Sequence, residues 1–270
     1  MEEKRFPKYT FKTRLKSMLK VDFKRMFISP FYYIMLGISI VIPILVIVMT
    51  TMMAGTERVD PITNEVTIME QMFTNAWQSI GSLPSSSGDM MMLDITSMCN
   101  INMMYFAIAV LVCIFVSDDF RSGYNKCLFT IRSNKVDYVI SKTIVCSVAG
   151  ATIILGYFIG AMLASAISSL SFTMDGFNLI NVIFCMLSKL ILVLVFVPIY
   201  LVMSVIGKSK TWLSMILAFG VSMLLFMMIP SLTPLNSTFM NVILSLMGGL
   251  LFSIGIGAIS NIVLKKTSLV

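Results

Sequence analysis

The chain contains no histidine, and charged residues make up only 12% of its 270 residues. Without histidine it lacks imidazole acid–base chemistry, histidine metal ligands and the zinc-protease motifs. A soluble domain has about 25% charged residues, whereas here 57% of all residues are hydrophobic. So much apolar surface does not fit inside a soluble core. The composition therefore predicts a membrane protein.

Metal and redox motifs are also scarce. The five cysteines form no CxxC pair, and we interpret them as small buried hydrophobic residues. The 25 methionines are scattered along the chain, which is more typical of leucine-like packing residues than of a copper site. Paired acids within apolar stretches are missing, which argues against proton coupling. We therefore expect no metal or cofactor bound by this chain.

Six apolar stretches are long enough to cross the hydrocarbon core of a bilayer. They cover residues 31–53, 99–116, 139–167, 179–206, 211–230 and 238–264. The predicted fold class is all-α: a polytopic membrane protein with six transmembrane helices in a domain spanning residues 31–264. Residues 1–30 precede this domain as a cytoplasmic or interfacial segment, and residues 265–270 form a short tail.

The positive charges lie on one side of this predicted topology. Residues 1–30 carry nine Lys/Arg and the loop 117–142 carries five, whereas the acidic loop 54–97 carries one. Counting the turn near 208 and the tail, 18 of the 20 basic residues fall on the same side. Because Lys/Arg-rich flanks stay cytoplasmic, we expect both termini in the cytoplasm. The net charge of +7 then reflects topology rather than nucleic-acid binding.

Residues 10–29 carry apolar and basic side chains on opposite faces of a predicted helix. The apolar face has Phe11, Leu15, Met18, Leu19, Phe23, Met26 and Phe27, and the basic face has Lys12, Lys16, Lys20 and Lys24. This pattern is typical of a helix in the membrane plane, ended by Ser29-Pro30. It is either a topogenic anchor or a lever that receives force from a cytoplasmic partner, with Phe23 and Phe27 buried in the inner leaflet.

The loop 117–142 is short and carries charges of both signs. Its sequence predicts a polar helix that is capped at Ser117 and broken at Gly123. Apolar side chains recur in it at helical spacing, and we expect them to dock into a groove on another protein. They are Phe120, Tyr124, Leu128 and Phe129.

In this layout the chain resembles permease subunits of the ABC-2 type (type V) ABC transporter family. Family members have an amphipathic N-terminal helix, six spans, and a cytoplasmic loop between spans two and three. Asp119, Gly123, Arg132 and Lys142 match the order and approximate spacing of that loop, although the usual proline of its turn is absent. The resemblance implies that 117–142 is a coupling helix contacting an ATP-binding cassette subunit. Its candidate contact residues are Asp119, Phe120, Gly123, Tyr124, Arg132 and Lys142.

The resemblance also implies a transport subunit rather than an enzyme, with ATP and Mg on the partner ATPase. Gly207-Lys208-Ser209 is not a phosphate-binding loop, because Val202 stands where the pattern needs glycine. Two such permeases, identical or sister chains, would form an exporter of hydrophobic or amphipathic cargo: a peptide, lipid or drug. Within the family, antimicrobial peptide resistance is a plausible role. The alternative is a membrane-anchored immunity protein that sequesters a peptide with the outer loop 54–97.

Two smaller expectations concern the outer half of the protein. Lys189 is the only charge well inside an apolar stretch. Either it snorkels toward the outer interface, or it faces a substrate path. In the outer loop, residues 68–80 predict a short helix that carries Phe73 and Trp77.

Overall fold

The computed structural model describes residues 10–59, 66–68, 71–81, 100–131, 135–173, 178–226 and 228–266. This part of the chain is mainly helical. In order, the helices are α1 (Phe11–Ile28), α2 (Pro30–Met53), α3 (Met104–Arg121), α4 (Tyr124–Ile131), α5 (Val136–Ile167), α6 (Leu179–Gly207), α7 (Thr211–Phe226), α8 (Ile229–Leu232) and α9 (Phe239–Lys266). Two short strands, β1 (Glu57–Val59) and β2 (Val66–Ile68), and the 3-10 turns Ala76–Ser79 and Ile101–Met103 complete it.

Five of these helical segments are long and apolar enough to cross a membrane. They are Pro30–Met53, Ile101–Arg121, Val136–Ile167, Leu179–Gly207 and Phe239–Lys266. The prediction of a helical, polytopic membrane protein is confirmed at this level. The remaining apolar helix, α7, has 16 residues, about 24 Å at 1.5 Å per residue. It is shorter than a typical spanning helix, so the described chain contains five full-length candidates and one short one.

The predicted break before the first span is confirmed. Ser29 is extended and precedes α2, and Pro30 is the first residue of the new helix. Proline suits this position because its fixed φ fits a helix and its missing N–H would have no partner there. The amphipathic helix α1 and the long apolar helix α2 are therefore separate helices joined at one residue.

The predicted helix cap at Ser117 is wrong. Ser117 is buried within α3, which continues through Asp118 and Asp119 to Arg121. The break comes at Ser122 and Gly123, and Gly123 has a positive φ of 74°, which glycine adopts without steric penalty. α3 keeps its polar end helical because cations from other helices contact Asp119. The loop is thus a polar extension of α3 followed by the separate helix α4.

The predicted helix over residues 68–80 is also wrong. Val66–Ile68 is a strand that pairs antiparallel with Glu57–Val59, and within the described stretch 71–81 only Ala76–Ser79 is helical, as a 3-10 turn. The Asn75 side chain caps this turn, and the Trp77 indole N–H donates to the Phe172 carbonyl at 3.1 Å. These contacts attach the turn to the chain that follows α5.

Small residues bring α5 against α2. A Cβ atom at Gly160 would clash with the backbone of Ile40 and the ring of Pro43, and one at Gly156 would clash with Ser39. Glycines at these positions therefore allow close contact between the two helices. At the other edge, α9 packs on α6 and α5, but only 6% of its most apolar window is buried.

Candidate functional site

Four charged side chains from three helices meet at one end of the bundle. Asp22 and Arg25 come from α1, Asp119 from the end of α3, and Lys142 from the second turn of α5. Asp22, Asp119 and Lys142 are fully buried, and the Arg25 side chain is 28% exposed. We call these four residues the ion cluster. With two acids and two bases, the cluster has no formal net charge.

Short ion pairs join the three helices of the ion cluster. The Lys142 ammonium lies 3.0 Å from Asp22 Oδ1 and 2.6 Å from Asp119 Oδ2. The Arg25 guanidinium lies 2.7 Å from Asp119 Oδ1. The Lys142–Asp22 contact is a charge-assisted hydrogen bond, which is stronger than a neutral one; the two contacts to Asp119 are ion pairs. Together these contacts fix α1 to both α3 and α5.

Hydroxyl groups supply the remaining partners of the two carboxylates. Ser141 Oγ donates to Asp22 Oδ2 at 2.6 Å, and the Tyr138 hydroxyl donates to Asp119 Oδ2 at 3.0 Å. Each of the four carboxylate oxygens therefore has a cationic or hydroxyl partner within 3.0 Å. Three of these oxygens accept a hydrogen bond, and Asp119 Oδ1 contacts Arg25 as an ion pair without hydrogen-bond geometry. Buried charges are tolerated when they are paired and largely hydrogen-bonded.

Aromatic rings cover both cations of the ion cluster. The Lys142 ammonium lies 3.9 Å from the centroid of the Phe115 ring. The Arg25 guanidinium carbon lies 4.3 Å from the centroid of the Tyr124 ring, within the range of a cation–π contact. Because Tyr124 begins α4, the ion cluster also contacts the helix of the predicted coupling loop.

The surroundings of the ion cluster shift the pKa values of Arg25 and Tyr124 upward. Burial alone would lower the pKa of the Arg25 guanidinium, but the carboxylates of Asp119 and Asp22 raise this pKa by more. The pKa of the Tyr124 phenol is raised, first by burial and then by the negative charge of Asp22, although Lys142 opposes the rise. Near neutral pH, Arg25 is a cation and Tyr124 is an uncharged ring that covers it.

A second ion pair lies nearer the N-terminal end of α1. Arg14 Nε is 3.3 Å from Asp137 Oδ2, and Asp137 is 1% exposed. Arg14 precedes Arg25 by 11 residues, about 16 Å along a helix. Met18 and Met26, on the same face of α1, are buried as well. α1 is therefore held at two points to the beginning of α5, rather than lying only on lipid.

The structure brings together three of the residues predicted for the coupling loop: Asp119, Tyr124 and Lys142. Gly123 forms the turn between α3 and α4. Phe120 is partly buried against the protein's own core, as are Leu128 and Phe129, so only part of each side chain is open to a partner, and their role in docking stays a prediction. The exposed side chains of α4 are Lys126, Cys127 and Thr130. Arg132 lies outside the described residues.

The predicted lipid-facing pair of α1, Phe23 and Phe27, is half-buried against the protein core. Their rings are stacked, with centroids 5.9 Å apart, and Phe27 meets Tyr32 of α2 edge-on at 4.8 Å. Asp22 and Arg25 did not emerge as site residues from the sequence. The signal for Asp22 is its spacing of four residues from both Met18 and Met26. A carboxylate in the middle of an apolar helix face needs a buried partner.

Lys189 does not snorkel to the interface. It is 1% exposed, and its ammonium donates to Asn102 Oδ1 at 2.7 Å and to Thr233 Oγ1 at 2.9 Å. Among the described residues no carboxylate contacts it. The Tyr105 hydroxyl donates to the Lys189 carbonyl, and the Tyr200 hydroxyl donates to the Tyr105 carbonyl. Lys189 is thus a link in a buried polar chain that continues to Asn102 and Thr233, and a role in a substrate path stays a prediction.

No protein-family model, curated protein or solved structure matches this chain. A functional assignment therefore has to come from the chain's own residues. Two observations bear on it most strongly. One is the set of long apolar helices, and the other is the ion cluster that joins α1, α3 and α5 next to α4.

Proposed function

We propose that this chain is the permease subunit of an ATP-driven ABC exporter in the cell membrane. In this proposal it has six spans and acts beside a second permease, the same chain or a sister chain. A separate ATP-binding cassette subunit binds ATP and Mg. The observation that carries the proposal is the ion cluster, because it connects an interfacial helix to two spans at the position of the coupling loop.

A permease must turn movement of its partner into movement of its spans. Pulling α1, α3 and α5 apart would leave buried charges unpaired, and breaking a buried ion pair costs about 3–5 kcal/mol. The three helices are therefore expected to move together. A push on α4 reaches them through Tyr124, which covers Arg25, and through the short turn at Gly123.

The outward side of α4 is the proposed contact surface for the ATPase. Lys126, Cys127 and Thr130 are exposed there, at the i, i+1 and i+4 positions of one helix face. Leu128 and Phe129 hold α4 from its other side, against Tyr138 and the end of α9. A short helix fixed by one face and open on the other suits docking into a groove of a partner.

The proposed orientation follows from the basic end of the bundle. Lys135, just before α5, donates to the Leu264 carbonyl near the end of α9 at 2.7 Å, so these two helix ends lie at the same level as α1. Lys/Arg-rich ends stay cytoplasmic, which supports an orientation with both termini inside. In this arrangement α7, continued by α8, makes the fifth crossing. The apolar character of the spans suits a hydrophobic or amphipathic cargo.

Native Cys127 offers a direct test of orientation, because it is exposed on α4. In a variant that keeps Cys127 as its only cysteine, an impermeant thiol reagent should label intact cells weakly and permeabilised cells fully. Thr56 is exposed just after α2. In a variant with a single cysteine made by Thr56→Cys, labelling should be equal with and without permeabilisation. The reverse pattern would contradict the proposed topology.

The same two variants test the proposed function. A thiol-directed photo-cross-linker attached at Cys127 should join the chain to a polypeptide that carries a phosphate-binding loop, identified by mass spectrometry. The same reagent on the Thr56→Cys variant should give no such adduct, because that residue lies on the other side of the membrane. If neither position yields an ATPase adduct, the membrane-anchored immunity or binding protein becomes the better explanation.

A further inference from the structure

A groove of about 430 Å³ runs between α5 and α9. Its α5 side includes Val136, Ile140 and Ile144, and its α9 side includes Ile254, Gly257 and Asn261. The volume lies within the range of pockets that bind small molecules, roughly 300–1,000 Å³. Most of the lining is apolar, and the groove extends over about 12 Å of each helix, or eight residues at 1.5 Å per residue. Its shape suits one hydrocarbon chain lying along the two helices.

An amide and two lysines lie at one end of the groove, whereas its other end is lined by the hydroxyl residues Thr143 and Ser253 and carries no charge. The amide oxygen of Asn261 is buried and has no hydrogen-bond partner among the described residues. Lys265 is exposed one helical turn beyond Asn261, and Lys135 immediately precedes Val136. A ligand here meets apolar walls, then a hydrogen-bond acceptor, then positive charge.

We propose that this groove binds an anionic phospholipid of the inner leaflet. One acyl chain lies between α5 and α9, and the phosphate lies at the mouth of the groove near Lys265 and Lys135. Basic pockets at the cytoplasmic ends of membrane helices attract anionic headgroups. The proposal goes beyond transport, because it requires only that this basic end faces the inner leaflet. A bound lipid would cover α9 where the chain itself leaves it exposed.

Two glycines of α9 provide a matched pair of variants. A Cβ atom at Gly257 would meet only Val139, at 3.9 Å, whereas one at Gly255 would meet nothing within 4 Å. Gly257→Leu therefore fills the groove, and Gly255→Leu adds the same side chain outside the groove lining. Lys265→Gln removes one charge at the mouth without changing the walls.

The test is lipid binding to the detergent-purified chain, measured by native mass spectrometry with phosphatidylglycerol and with phosphatidylcholine of the same acyl chains. Wild type and Gly255→Leu should bind phosphatidylglycerol more tightly than phosphatidylcholine. Gly257→Leu should bind phosphatidylglycerol at least about tenfold more weakly, and Lys265→Gln about fivefold more weakly. Equal binding by Gly257→Leu and Gly255→Leu would overturn the groove as the site. Equal binding of the two lipids by wild type would overturn the anionic assignment, whatever the stability of the glycine variants.

Discussion

Lys142→Met should destabilise the folded chain by about 3–5 kcal/mol, the usual cost of removing one partner of a buried ion pair. Lys142 is fully buried and contacts both carboxylates of the ion cluster, at 3.0 and 2.6 Å. Methionine has a similar length but no charge, so among the described residues Asp22 and Asp119 would be left with Arg25 as their one close cation. The thermal midpoint of the solubilised protein and its level in the membrane should both fall.

Lys189→Met is the matched control for this prediction. It is the same substitution at another fully buried lysine, but the Lys189 ammonium contacts only the neutral oxygens of Asn102 and Thr233. Leaving these oxygens unpaired costs about 1–3 kcal/mol, while removing a buried charge gives back a comparable amount. The thermal midpoint should therefore stay close to that of wild type. If the two variants lose equal stability, the ion cluster is not what holds this end of the bundle.

The double variant Phe23→Glu with Phe27→Glu should uncouple ATP hydrolysis from transport. Burying each phenylalanine contributes roughly 1.5–3 kcal/mol, and Phe27 also contacts Tyr32 at the start of the first span. Two carboxylates in their place would turn out of the apolar surroundings toward water. This face of α1 would then detach from the protein core. The ion cluster would still hold Asp22 and Arg25, so the ATPase should remain bound and active. We expect the rate of cargo transport to fall at least about tenfold. A tenfold change corresponds to about 1.4 kcal/mol of free energy.

The control for the uncoupling variant places the same two charges elsewhere on α1. Thr13 and Val21 are exposed, so Thr13→Glu with Val21→Glu adds two carboxylates without disturbing the buried face. ATP turnover and transport should be measured on the same reconstituted sample. Normal transport by the Phe23/Phe27 variant would show that α1 is only an anchor and not a lever.

The sequence predicted the spans well because hydrophobic length is a local property. Residues 31–53 were predicted for the first span, which forms as Pro30–Met53, and the last was predicted over 238–264 and forms as Phe239–Lys266. The exception is the stretch 211–230. Its helix ends at Phe226, and a new short helix starts at Ile229 with Pro230 in its first turn. Proline is favoured at a helix start, which fits the position of Pro230, although α2 and α6 continue through Pro43 and Pro198.

The ion cluster could be predicted only in part. Asp119 and Lys142 were chosen through the resemblance of the loop to a known family, whereas Asp22 and Arg25 were missed. Asp22 and Lys142 are 120 positions apart in the chain, and no local pattern reports a contact of that kind. For the same reason, the sequence left two interpretations of Lys189, whose partners come from distant segments.

The amphipathic pattern of a helix also does not show what its apolar face packs against. Phe120, Leu128 and Phe129 have helical spacing, which predicted that they dock into a groove of another protein. In the structure these side chains pack partly on the chain's own core. Periodicity shows that a face is apolar and does not say whether lipid, a partner or the same chain covers it. The proposed docking surface therefore moves to the polar side of α4, with Lys126, Cys127 and Thr130.

ATP hydrolysis by the chain purified with its bound partner tests the proposed function most directly. The tagged full-length chain, extracted from its native membrane in mild detergent, should retain an ATPase subunit and hydrolyse ATP. Cys127→Trp places a bulky ring on the exposed side of α4, and because interface cores are packed as densely as protein interiors, it should reduce the ATPase activity recovered at least about tenfold. Lys210→Trp, in the exposed turn before α7, should retain the activity. A wild-type chain that carries no ATPase, or equal activity with both tryptophan variants, would contradict the account.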